Sequence, residues 1–102
     1  MDPTIRDIEV EFYNIANDLF QSTYQEFRND AALIDRNGDE NVYQLLRSKY
    51  SKILRQLLEQ RAGLLIDRVE TKEKRLHLGA SLAETIHYFD VEFMRKADEA
   101  WL

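Results

Sequence analysis

The sequence has no cysteine, one proline and three glycines, and no apolar run approaches the ~18 residues needed to span a bilayer. Each shortage excludes something. Without cysteine there is no disulfide framework, no zinc–thiolate site and no thiol nucleophile. Scarce Gly and Pro, with abundant Leu, Ile, Glu, Arg and Lys, favour long helices over sheet or disorder. The N-terminus lacks a basic region followed by an apolar core, so the chain reads as soluble, cytoplasmic and not exported. What remains is ordinary for one folded domain: 102 residues, 44% hydrophobic and 32% charged.

The net charge of −5 is unevenly placed. Residues 1–41 carry ten acids against Arg6, Arg28 and Arg36, a balance of −7. Residues 42–78 carry nine bases against Glu59, Asp67, Glu70 and Glu73, a balance of +5. Residues 79–102 carry five acids against Arg95 and Lys96, a balance of −3. Acidic flanks beside a basic one suit antiparallel helical neighbours. A nucleic-acid binder is more often basic overall, and the bases from Arg47 to Arg75 are interrupted by acids. Nucleic acid and anionic lipid are therefore disfavoured as partners.

The strongest punctuation is Asp35-Arg36-Asn37-Gly38-Asp39. Asn-Gly suits a helix C-terminus, and Asp39 suits the N-cap of the next helix. Asp2-Pro3-Thr4 offers an N-cap with Pro in the first turn, followed by Asp7 and Glu9 where the helix dipole favours acids. A first helix is expected over residues 4–36. Its seam runs Ile5, Ile8, Phe12, Ile15, Leu19, Thr23, Phe27, Ala31 and Ile34, widened by Phe20 and Tyr24. Such a width predicts burial against two neighbours.

From Asp39 onward nothing stops the helix cleanly. Leu46, Tyr50, Ile53, Leu57 and Leu64 form one seam; Leu65, Val69, Leu76, Ala83, Ile86, Phe89, Phe93, Ala97 and Trp101 carry it onward with a change of phase. Gly63 and Gly79 weaken this stretch by about 1 kcal/mol each without ending it. The polar run from Asp67 to Arg75 is the place for a bend, although it holds no turn residue. Two all-α architectures follow. One is a three-helix bundle of about 4–36, 40–67 and 72–102. The other is a long helical hairpin whose second helix runs unbroken from residue 40, leaving its far half to be covered by another chain. In both, residues 1–102 form a single helical domain, with Tyr50, Leu57, Phe12 and Leu19 in the internal core.

Several stretches resemble the spectrin-repeat family of three-helix coiled coils. Leu33-Ile34-Asp35-Arg36-Asn37-Gly38 resembles the end of a second helix and its turn. Leu46 to Leu54, followed by Arg61, resembles a third helix, with Tyr50 where the family usually has Trp. Arg75-Leu76, Leu82, Tyr88-Phe89 and Phe93 through Ala97 to Trp101 resemble the crossing into a next first helix. The resemblance covers most of the chain through a degenerate heptad pattern. It departs from the family in that no complete first helix precedes residue 4, so the chain matches an incomplete repeat running into another. It implies a spacer and docking surface of a cytoskeletal or signalling scaffold, without catalytic residues.

Chemistry has little to draw on. Glu84-x-x-His87 places a carboxylate and an imidazole on one helical face, but di-iron bundles need two such motifs, and His77 lies on a different face. Asp35, Asn37 and Asp39 begin like a calcium loop, yet its sixth position is Glu40 and its twelfth Leu46. There is no phosphate loop and no Ser with a neighbouring His at meaningful spacing. Neither catalysis, a metal, a cofactor nor a small-molecule substrate is expected. The functional expectation is a helical protein–protein interaction and spacer module. The alternative is an obligate oligomerisation domain or small helical subunit of a multiprotein complex. Ile86, Phe89, Phe93 and Trp101, the apolar stripe of the final segment, form either the third layer of a closed bundle or an interaction surface that contacts a protein partner or a second copy. The pattern stops uncapped at Trp101-Leu102, as a piece of a longer protein would.

Overall fold

The computed structural model describes residues 4–34 and 40–101. The first helix begins one residue later than expected, with Thr4 as its N-cap: the Thr4 backbone is extended and its Oγ1 accepts the Asp7 N–H at 3.2 Å, filling one of the orphan donors of a helix start. Helix α1 then spans Ile5–Ala31. It ends earlier than the expected residue 36. The Leu33 N–H reaches back to Asp30 and that of Ile34 to Ala31, both at 3.1 Å, a tightening typical of a terminal turn. Leu33 finds no cover there and stays 87% exposed. The expected Asn37-Gly38 turn and Asp39 cap, like Asp2 and Pro3, lie outside the described residues.

Helix α2 spans Glu40–Ile66 and α3 spans Lys72–Trp101. The chain therefore turns between them, and the unbroken helix from residue 40 does not form. The turn uses neither Gly nor Pro. The Arg68 and Val69 N–H groups bond back three residues, to Leu65 at 3.1 Å and Ile66 at 3.0 Å. Val69 is buried beneath the corner. Thr71 Oγ1 then accepts the Lys74 N–H at 3.3 Å, capping α3, and the Arg75 side chain donates to the Val69 carbonyl.

All three helices pack on one another, so the protein is an all-α three-helix bundle. Each helix is covered from two sides, which rotates its buried stripe relative to a two-helix seam. Phe20 is more buried than Leu19, Leu58 than Leu57, and Leu65 than Leu64. Phe12 and Tyr50 are core residues as expected, whereas Leu19 and Leu57 are half-buried. Leu64, Leu76 and Ala83, assigned to the seam by spacing, are exposed, and Leu78 and Leu82 take their place. At the centre, the Phe27 ring lies 5.5 Å from Tyr43, 6.0 Å from Tyr50 and 5.5 Å from Phe93, joining all three helices.

The molecule is a short rod of 56 × 18 × 17 Å. Its radius of gyration, 16.2 Å, exceeds the about 13 Å of a spherical domain of this length. Among the described residues no helix is long and apolar enough to cross a membrane.

Candidate protein-interaction surface

The four residues chosen from the sequence come together, but inside the bundle. Phe93 is fully buried and Phe89 is 3% exposed. The Phe93 ring lies 6.3 Å from Phe20 and 5.9 Å from Tyr24, and the Phe89 ring 5.6 Å from Phe20. Ile86 is half-buried against the same core, and the Trp101 ring lies 4.4 Å from that of Tyr43, tilted by 34°. Of the two placements left open by the sequence, Phe89 and Phe93 take the third layer of the bundle: once the chain turns at residues 67–71, α1 and α2 cover them, while Ile86 and Trp101 stay half-buried. Tyr43 reinforces the closure by donating its hydroxyl to the Ala97 carbonyl.

The other sequence candidates are dispersed. Glu84, His87 and His77 are exposed. Among the described residues no three potential metal-ligating side chains gather. The calcium-like run at Asp35, Asn37 and Asp39 lies outside the described residues.

Apolar area does reach the surface where α1 ends and α2 begins. Leu33 is 87% and Leu45 72% exposed. Together with Ile34, Val42 and Leu46 they line an open groove of about 360 Å³, bordered by Asp30 and Lys49. The groove holds its shape because its two sides are tied together: the Tyr50 hydroxyl, on α2, donates to the Asp30 carboxylate at the end of α1. That bond, together with burial and the nearby acids Asp30 and Glu26, pushes the Tyr50 pKa up to about 12.

Beyond Lys49 the outer face of α2 is basic. From Asn41 to Leu58 the helix carries Arg47, Lys49, Lys52 and Arg55 and no acid. Arg47 turns inward to α3 and pairs with Asp98 at 3.0 Å. Lys49, Lys52 and Arg55 point outward and have no ion-pair partner among the described residues. An apolar groove thus runs into a basic stripe on one helix. Sequence reasoning passed over Leu33 and Leu45 as surface markers. Leu45 beside Leu46 was no signal by itself, because the adjacent pairs Leu19-Phe20 and Ile53-Leu54 both pack on the core, whereas of Leu45 and Leu46 only Leu46 does.

A second exposed apolar band joins α1 to α3, where Val10, Tyr13, Tyr88 and Val91 are each about half exposed. Tyr13, Glu84, Thr85 and Tyr88 line a shallow depression there. At the C-terminal end of this face Arg95 bridges Glu92 and Glu99, which holds Glu92 below its usual carboxylate range and Arg95 above its own. Comparison with protein-family models, with curated proteins and with solved structures gives no match.

Proposed function

We propose that this chain is a non-catalytic, cytoplasmic protein-interaction and spacer module. The α1–α2 groove takes an amphipathic helix that carries acidic residues beside its apolar face. The observation behind this is the continuity of the groove at Leu33, Val42 and Leu45 with the unpaired bases Lys49, Lys52 and Arg55. Apolar side chains laid between Leu33 and Leu45 supply affinity through area removed from water. The basic stripe supplies orientation and a faster encounter with an acidic partner. The rod shape suits a spacer, and the spectrin-like pattern around Tyr50 agrees with a role in a cytoskeletal or signalling scaffold.

The test is a photo-crosslinker at position 42, used in cells. A specific adduct is expected, and the crosslinked segment, made as a peptide, should be acidic, amphipathic and bound by the purified protein. A Leu33→Asp, Leu45→Asp variant should lose both adduct and peptide while keeping its helicity. A peptide that binds parent and variant equally, or no adduct at all, defeats the proposal.

A further inference from the structure

A second observation, independent of the α2 groove, concerns the outer face of α3. From Leu76 to Phe89 the only charged residue besides the two histidines is Glu84. Leu76 and His77 are exposed at its start, and from there the stretch and the next turn present Ala80, Ala83, Tyr88 and Val91 outward, with Glu84 and His87 between them. Tyr88 is 53% and Val91 51% exposed, and α1 adds Val10 and Tyr13 along the edge. An exposed helical face so poor in charge, on a chain that is 32% charged, is unlike the other two outer faces.

We infer that this face is a self-association surface, on which α3 of a second copy lies antiparallel across a two-fold axis midway between Glu84 and His87. The order of residues carries the assignment. In a two-fold contact, residues equally distant from the axis meet each other, and every such contact occurs twice. With the axis at this point, Ala83 faces Tyr88 of the second copy, Ala80 faces Val91, and Glu84 faces His87. Each large side chain meets a small one, and the one acid meets an imidazole. A parallel pairing would instead stack Tyr88 on Tyr88 and Glu84 on Glu84. Sliding the axis one turn towards the C-terminus would leave Ala80 and Ala83 unfilled and would part Glu84 from His87. The contact uses a few side chains of one helix and an edge of α1, less than the about 800 Å² per partner of a standard interface. Its dissociation constant belongs in the range of about 1–100 µM.

The test is solution mass by sedimentation or light scattering across that concentration range. The parent should move from the 12.1 kDa monomer towards twice that mass. Ala83→Arg, at an exposed position, should stay monomeric with unchanged helicity, while Leu45→Asp should associate like the parent. Glu84→Lys and His87→Glu should each weaken the dimer at least severalfold, and the double variant should recover it. A parent monomeric throughout, or a dimer indifferent to Ala83→Arg, overturns the surface. A dimer lost in Leu45→Asp but kept in Ala83→Arg moves self-association to the α2 groove and also overturns it. Failure of the double variant to recover overturns the antiparallel register.

Discussion

Tyr50 is where alkaline pH enters the stability of this bundle. Its hydroxyl is held protonated in the fold by donation to Asp30, with a pKa near 12 against an ordinary value of about 10. Because the folded value is the higher one, the stabilisation is complete below about pH 10 and fades as pH rises towards 12, where the unfolded chain releases the proton first. Tyr50→Phe should therefore be less stable than the parent by about 1–2 kcal/mol at pH 8. That gap should narrow between pH 10 and 12 in urea titrations followed by circular dichroism. A gap that stays constant over this window would dissociate the hydrogen bond from the titration. Core truncations should follow burial: Phe93→Ala should cost about 3–5 kcal/mol, and Trp101→Ala, at a half-buried end, clearly less. At this scale the sequence identified the important aromatics but not their environment. Phe89 and Phe93 were legible as large apolar residues at helical spacing. Whether such residues face a partner or the chain's own core depends on a distant turn that their spacing does not encode.

At the scale of the element, the helices are better matched to their neighbours than to their own propensities. Gly63 lies within α2 with open space around the position of a Cβ, and Gly79 lies within α3 with only Ile66 Cδ1 at 3.8 Å. Neither has a positive φ. Alanine at either site should thus add about 0.5–1 kcal/mol by reducing the freedom of the unfolded chain and raising helix propensity. A destabilisation in thermal melts would mean that the glycines serve a close contact. Thr71→Ala should remove the α3 cap at a cost of about 1 kcal/mol. The start of α1 was readable to within a residue from Asp2-Pro3-Thr4, because these residues precede a strongly periodic run, although the cap itself is Thr4 and not a residue before Pro3. The bend at residues 67–71 was readable only as a polar gap. Its turn is made by ordinary residues, Val69 buried beneath it and Thr71 closing it, and such a turn is decided by what the following helix gains on packing.

For the whole molecule, two ion pairs among the described residues tie elements together: Arg47–Asp98 links α2 to α3, and Arg68–Glu11 links the α2–α3 turn to α1, at 3.0 Å each. The segmental charge balance thus appears as pairing between elements, although pairs this exposed contribute about 0–1 kcal/mol each. The larger consequence is on the surface. With Phe89 and Phe93 closed inside, the large apolar side chains left outside among the described residues are Leu33, Val42 and Leu45 at one end, Leu64 and Leu76 on either side of the α2–α3 turn, and Val10, Tyr13, Tyr88 and Val91 between α1 and α3. Leu33→Asp, Leu45→Asp should change the unfolding midpoint little, because neither side chain is covered. A large loss of stability in denaturant would place them in the fold and not on a docking surface.

Legible in the sequence alone are the helical class, the start of α1 to within a residue, and a first-helix apolar stripe wider than a single seam. These properties are local, fixed by backbone propensity, capping and the 3.6-residue period. Only the tertiary structure decided that the chain turns at residues 67–71, that Ile86, Phe89, Phe93 and Trp101 pack within the bundle, and that Leu45 and Ala83 lie outside. The physical reason is that burial is a property of pairs of surfaces. A stripe signals that a helix must be covered, and the geometry of three mutually packed helices selects which side chains its neighbours cover.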